Sequence, residues 1–133
     1  MFMNITLLRH HQSFWVSQIQ GNGNDVLQEI QEEEIKSFWS ITKTNEELSL
    51  VSVLEKHPSF TQVEGPWTLF QVEGVLDFGL TGILNSLTKP LAEAKISLFA
   101  ISTFNTDYIL VKSDVADQAE QVWDSSGFSV KNG

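Results

Sequence analysis

Residues 65–106, GPWTLFQVEGVLDFGLTGILNSLTKPLAEAKISLFAISTFNT, read as strand, helix and strand followed by a compact turn. Trp67 to Glu73 is aromatic and β-branched, which suits a strand. Asp77 is a candidate N-cap, and Leu80, Ile83, Leu84, Leu87, Leu91 and Ala94 then recur at helical spacing, with Gly82 in the first turn. Pro90 is expected to kink or loosen the last turn of that helix, because it lacks an amide hydrogen. Ile96–Thr103 and Asp107–Val111 predict a hairpin around the turn Thr103 to Thr106. Leu98, Ala100, Tyr108 and Leu110 are expected on one face and Phe99, Ile101, Ile109 and Val111 on the other, so both faces are apolar. The second face is then expected to meet another subdomain or subunit.

Beyond the hairpin, Ser113 or Asp114 is the expected cap of a helix carrying Val115, Ala119, Val122 and Trp123. Gly127 stops it, and Phe128 to Val130 predicts a last strand. Residues 67–131 thus read β-α-β-β-α-β, an α+β, ferredoxin-like unit with two helices on one face of an antiparallel sheet.

Upstream, Met3 to Leu8 predicts a strand or an arm against the core, Phe14 to Ile19 predicts a strand, and the turn cluster Gly21-Asn22-Gly23-Asn24 leads into a short helix ending near Glu33, capped by Asn24 or Asp25. Ile35–Ile41 and Leu48–Leu54 predict a hairpin through the polar residues 42–47. Strand, helix and hairpin repeat the later plan without a strong second helix, which predicts a degenerate tandem duplication with a reduced first subdomain. The Gly65-Pro66 pair marks the expected boundary, giving subdomains 1–64 and 65–133.

The chain has 133 residues, enough for one good core or two small ones sharing an interface. Its net charge of −9 is spread evenly, with four basic against nine acidic residues in 1–64 and four against eight in 65–133. No basic stripe is present to neutralise phosphates, so nucleic acid and anionic membrane are not expected partners. With no cysteine there is no disulfide, thiolate nucleophile or Cys-ligated zinc. The N-terminal residues MFMNITLLRHHQSF lack the features of a secretory signal, so a soluble, cytoplasmic protein is expected.

A catalytic reading lacks its parts. His10 and His11 are adjacent and would point to opposite faces of a strand, His57 precedes Pro58 in a loop, and the Glu32-Glu33-Glu34 run reads as a solvated surface. No Gly-x-Ser-x-Gly elbow, Walker motif or dinucleotide glycine pattern occurs. The expectation is therefore no enzyme, no metal and no cofactor.

Phe99-Ala100-Ile101-Ser102-Thr103-Phe104-Asn105-Thr106-Asp107-Tyr108-Ile109-Leu110-Val111, preceded by Gly82-Ile83-Leu84 and Pro90-Leu91-Ala92, resembles the tandem ACT-like proteins related to the cytosolic arginine sensors called CASTOR. Phe38 to Thr44 and Glu46 to Ser49 resemble the small bacterial members of that family. The likeness runs from Trp67 to Lys112 and, less closely, from Ser37 to Val53. It implies two ACT-like subdomains, the first reduced, and regulatory binding of an amino acid or similar small molecule at a subdomain or subunit interface, with a homodimer or other homo-oligomer expected.

In the arginine sensors the ligand meets the glycine at the helix start and a Thr-Phe-x-x-Asp turn, which fall here on Gly82, Thr103, Phe104 and Asp107, with Thr81 adjoining. Amides near Gly82 would take a carboxylate, and Asp107 with the carbonyls around Thr103 would take an ammonium. The sensors carry an acidic residue two places before that glycine, where this chain has Leu80, so the resemblance implies an amino-acid-like ligand other than arginine. Structural readings stand beside these: Asp107 tying the turn through its backbone amides, Gly82 permitting close helix-to-sheet packing, and Phe104 serving as a core or interface aromatic. The alternative function is a protein-interaction or oligomerisation module without a ligand site.

Overall fold

The computed structural model describes residues 5–33, 35–74 and 82–133. The expected cap Asp77, together with Leu80 and Thr81, lies outside the described residues. In chain order the elements are β1 Thr6–Arg9, β2 Phe14–Ile19, α1 Asn24–Glu32, β3 Ser40–Lys43, β4 Leu48–Ser52, β5 Phe60–Val72, α2 Ile83–Glu93, β6 Leu98–Ser102, β7 Asp107–Lys112, a 3-10 turn Ser113–Val115, α3 Ala116–Ser125 and β8 Ser129–Asn132. The chain forms two compact units, one of residues 13–66 and one of residues 1–12 with 67–133.

The larger unit is a βαββαβ arrangement built from the second half of β5, α2, β6, β7, α3 and β8. Its strand order is β6-β7-β5-β1-β8, with β5 antiparallel to β7 (Leu69 opposite Leu110) and β6 antiparallel to β7 (Ala100 opposite Ile109). β1 is antiparallel to β5 and parallel to β8, so the N-terminal strand lies between the first and last strands of the βαββαβ unit. Arg9 ends β1 with its guanidinium donating to Asp117 at 2.8 Å and Glu120 at 3.1 Å on α3, and it stacks over Phe70. The hydrogen bond to Asp117 leads in raising the Arg9 pKa above its ordinary value.

The helices cover one sheet face. Ile83, Leu87 and Leu91, four residues apart, and Ala116, Ala119 and Trp123 bury against Leu7, Phe70, Val72, Ile109 and Val111. Trp123 is fully buried, meets Phe70 edge-on at 4.9 Å and donates its indole N–H to Leu87 O at 2.8 Å, which fixes α3 to α2. Opposed residues of an antiparallel pair share a face, and the observed register pairs even-numbered with odd-numbered positions. Leu98, Ala100, Ile109 and Val111 therefore share the helix face and Phe99, Ile101, Tyr108 and Leu110 the other. This corrects the expected grouping, which paired even with even.

The helix ends and the course of β5 add local detail, and one expected cap is corrected. Pro90 sits inside α2, which ends later by the chain turning at Lys95 (φ 61°), with Lys95 N–H donating to Ala92 O and Ile96 N–H to Leu91 O. Gly127 (φ 94°) ends α3 by the same pair of bonds. Neither Ser113 nor Asp114 caps α3 through its side chain; the Ser113 hydroxyl instead lies 2.9 Å from that of Thr68. The Gly65-Pro66 pair does not interrupt the strand, since β5 runs through it. A Cβ on Gly65 would lie 2.6 Å from Trp15 Cδ1 and 2.8 Å from Phe14 O, so glycine is needed there for close approach of two strands.

The smaller unit holds β2, α1, β3, β4 and the first half of β5, with β4 antiparallel to both β2 and β3. Val26 and Ile30 of α1 pack on Ile19 and Leu50. Gly23, not Asn24 or Asp25, occupies the N-cap of α1 (φ 79°), and Asn22 Oδ1 receives the Asn24 N–H at 3.0 Å. Where the larger unit has its second helix, residues 53–59 form a loop whose His57 Nδ1 accepts the Ser59 N–H at 3.0 Å. The repeat is reduced at that place.

Removing the Trp123 side chain deletes both the edge contact with Phe70 and the bond to Leu87. Trp123→Ala is expected to cost about 3–5 kcal/mol of stability, read as a lower urea midpoint.

Candidate functional site

The first turn of α2 has an unusual start. Gly82 stands at the N-cap with φ 79° and ψ 0°, a backbone shape open to glycine and costly for other residues. Ser86 N–H donates to Gly82 O at 2.8 Å and the Ser86 hydroxyl donates to the same oxygen at 2.7 Å, so the first helical bond is doubled. Ahead of that bond the amides of Ile83, Leu84 and Asn85 have no intrahelical acceptor. Glycine offers no capping side chain, and the first turn contains no acidic residue. Among the described residues nothing lies within 4 Å of a Cβ built on Gly82, so its role is conformational and close helix-to-sheet packing does not explain it.

The β6–β7 turn is held by its own threonines. Thr103 N–H donates to Thr106 O at 2.9 Å, the Thr103 hydroxyl donates to the same oxygen at 3.1 Å, and Thr103 Oγ1 accepts the Thr106 N–H at 3.4 Å. Thr106 is buried, and its hydroxyl donates to Val72 O at 2.8 Å, fastening the turn to the last residue of β5. Asp107 follows as the first residue of β7 and accepts a bond at Oδ1 from the Ser102 hydroxyl across the hairpin.

Thr103 and Asp107 are therefore brought together with Ser102 and Thr106 in one braced turn. The turn is tied to Val72, and Val72 shares one core with Ile83, the residue after Gly82. Phe104 is 80% exposed at the tip, which excludes a core role. Thr81 lies outside the described residues. Sequence reading missed Thr106 and Ser102; the Thr-x-x-Thr spacing of a hydroxyl-braced turn was the available signal.

Chemically, the two parts have opposite character. The α2 start offers N–H donors and the positive end of a helix dipole, which stabilises an anion by about 0.3–1 kcal/mol. The turn offers a carboxylate and carbonyl oxygens. His10 is occupied with Gln71, its Nε2 lying 3.0 Å from Gln71 Oε1. Among the described residues no group of three or more His, Cys, Asp or Glu side chains is placed to hold a metal.

Residues 62–122, which contain both parts, match the ACT domain family. The match takes in part of the chain, and the fold as a whole is α+β and ferredoxin-like, a tandem ACT-like arrangement whose first repeat is reduced. It is 37% identical over 86 residues, 56% of its length, to the human cytosolic arginine sensor for mTORC1 subunit 1, and that match covers 26% of the sensor. The chain therefore spans about a quarter of the length of the curated relatives it matches. Among solved structures, a protein from Agobacterium tumefaciens superposes with a TM-score of 0.81 at 26% identity, covering 99% of this chain and 96% of that one. The regulatory subunit of aspartate kinase from Thermus thermophilus shares the fold, with a TM-score of 0.62 at 10% identity over 86% of this chain and 93% of that one. No described helix is long and apolar enough to cross a membrane.

Replacing Thr106 by Val keeps its shape and leaves Val72 O without that donor. Thr106→Val is expected to cost about 1–3 kcal/mol, with faster hydrogen exchange at the amides of 103–107. Phe104→Ala is expected to change stability by less than about 0.5 kcal/mol, since its ring is solvent-exposed.

Proposed function

We propose that this chain is a regulatory, non-catalytic ACT-like protein that binds an amino acid or similar zwitterion at Gly82 and the Thr103–Asp107 turn. The ligand carboxylate accepts from the first-turn amides of α2, and its ammonium faces Asp107 and the carbonyl of Thr103. Phe104 covers the ligand from the turn. The observation that carries this reading is the left-handed glycine start of α2, without a side-chain cap among the described residues, beside Ile83, which shares a core with Val72, the residue to which the carboxylate-bearing turn is tied.

Two further features belong to the proposal. Leu80 replaces the acidic residue of the arginine sensors, so the ligand is an amino acid other than arginine: a guanidinium there would lack a partner for its charge. The protein acts in the cytoplasm as a homo-oligomer, in line with the cytosolic naming of the sensors and with Phe104 exposed for a second copy to meet. That exposure also favours a second reading, an oligomerisation module without a ligand. Under it Phe104→Ala would dissociate the oligomer in sedimentation, and no amino acid would affect stability.

A thermal-shift panel of the twenty L-amino acids tests the first reading. A binding member at a hundred times its dissociation constant should add about 2.7 kcal/mol of stability. The gain should vanish in Asp107→Ala, and arginine should not give the largest shift. A panel without any response, or a response unchanged by Asp107→Ala, rejects the site.

A further inference from the structure

The two units begin their first helices alike and differ in what stands in front of them. Gly23 precedes α1, and Gly82 precedes α2, each at φ 79° and ψ 0°. Their hairpin turns correspond as well. Thr44 N–H donates to Glu47 O at 2.9 Å and Thr44 Oγ1 accepts the Glu47 N–H at 3.1 Å, the same pattern that joins Thr103 to Thr106. The register places Lys43 opposite Leu48 and Ile41 opposite Leu50 in one hairpin, and Ser102 opposite Asp107 and Ala100 opposite Ile109 in the other. Matching turn to turn sets Leu48 at the position of Asp107 and Ile41 at the position of Ala100.

Those exchanges decide what the helix start can meet. A Cβ on Gly23 would lie 2.9 Å from Leu48 Cδ2 and 3.6 Å from Ile41 Cδ1, so two aliphatic side chains stand directly against the N-cap of α1. Both also pack into the apolar cluster of Val26, Ile30 and Leu50. In the larger unit the same positions carry a carboxylate and a single methyl, and among the described residues nothing comes within 4 Å of a Cβ on Gly82. Leucine and isoleucine can neither accept from an ammonium nor leave room for a carboxylate, whereas the Asp107 carboxylate can accept and the Ala100 methyl leaves room.

We infer that Leu48 and Ile41 close the counterpart of the Gly82 site in residues 13–66, so that each chain takes one zwitterionic ligand, in residues 67–133. The count of one ligand rests on the binding reading of the Gly82 site; the closure does not. Leu48 thus acts as a built-in plug, and the reduced repeat serves as a structural partner to a binding repeat.

The closure is tested without any ligand, by thermal unfolding of Gly23→Ala, Gly82→Ala, Leu48→Ala and the pair Gly23→Ala with Leu48→Ala. Both glycine replacements meet the left-handed backbone strain, and only Gly23→Ala also collides with Leu48. Gly23→Ala should lower Tm by several degrees more than Gly82→Ala, and the excess should disappear when Leu48 is Ala. A Gly23→Ala chain that fails to fold and is recovered by Leu48→Ala meets the same expectation. Equal losses for the two glycines, or an excess that Leu48→Ala leaves unchanged, overturns the closure. Isothermal titration with each of the twenty L-amino acids then gives the count. One equivalent per chain is expected and two would overturn it, while no binding by any of them removes the ligand reading and leaves the closure to the melting result.

Discussion

A helix that starts on a left-handed glycine exposes amide donors that it cannot satisfy with a side chain of its own. In this protein that constraint applies twice, at Gly23 and at Gly82, and the surroundings answer it differently. Asn22 reaches the Asn24 amide in the smaller unit, and Leu48 and Ile41 cover the rest. At Gly82 the doubled bond from Ser86 secures the glycine carbonyl, while among the described residues no side chain caps the amides ahead of it.

The larger unit supplies rigid support for such an arrangement. α2 is pinned by the fully buried Trp123 through Leu87 and is terminated sharply at Lys95, so its N-terminus is set by core packing. The opposite part, the β6–β7 turn, is held at three points: Thr103 braces it from within, Thr106 ties it to Val72, and Ser102 orients the Asp107 carboxylate. Groups of opposite electrostatic character are thereby carried on elements fixed by packing and hydrogen bonds, which under the proposed binding would limit its entropic cost. β1 adds to this support, because Arg9 joins the N-terminal strand to the third helix through Asp117 and Glu120.

Much of the fold could be read from side-chain spacing. The run Ile83, Leu87, Leu91 announced α2, the turn at Thr103 announced the hairpin, and Gly127 announced the end of α3. Features that depend on register or backbone conformation were not legible. Whether an even-numbered residue faces an odd or an even one follows from turn length and closure, so the faces of β6 and β7 were misassigned. Lys95 carries no compositional sign of adopting a left-handed conformation, and nothing in the Gly65-Pro66 pair, next to which the two units divide, announces that β5 runs on through it. The insertion of β1 beside β5 is a long-range pairing to which no local pattern points. At the candidate site Gly82 and Asp107 were visible as residue types. The brace from Thr106 and the contrast between Leu48 and Asp107 required the hydrogen bonds and contacts of the two turns.

The central claim is that a zwitterion bridges the start of α2 and the Thr103–Asp107 turn. Amide chemical shifts of ¹⁵N-labelled protein, recorded while each of the twenty L-amino acids is added, test it most directly. The account predicts that a binding amino acid moves the amides of residues 83–85 together with those of 103–107, and leaves residues 24–26 and 44–48 in place. Spectra that move at neither segment, or that move in the smaller unit while the start of α2 stays fixed, would contradict it.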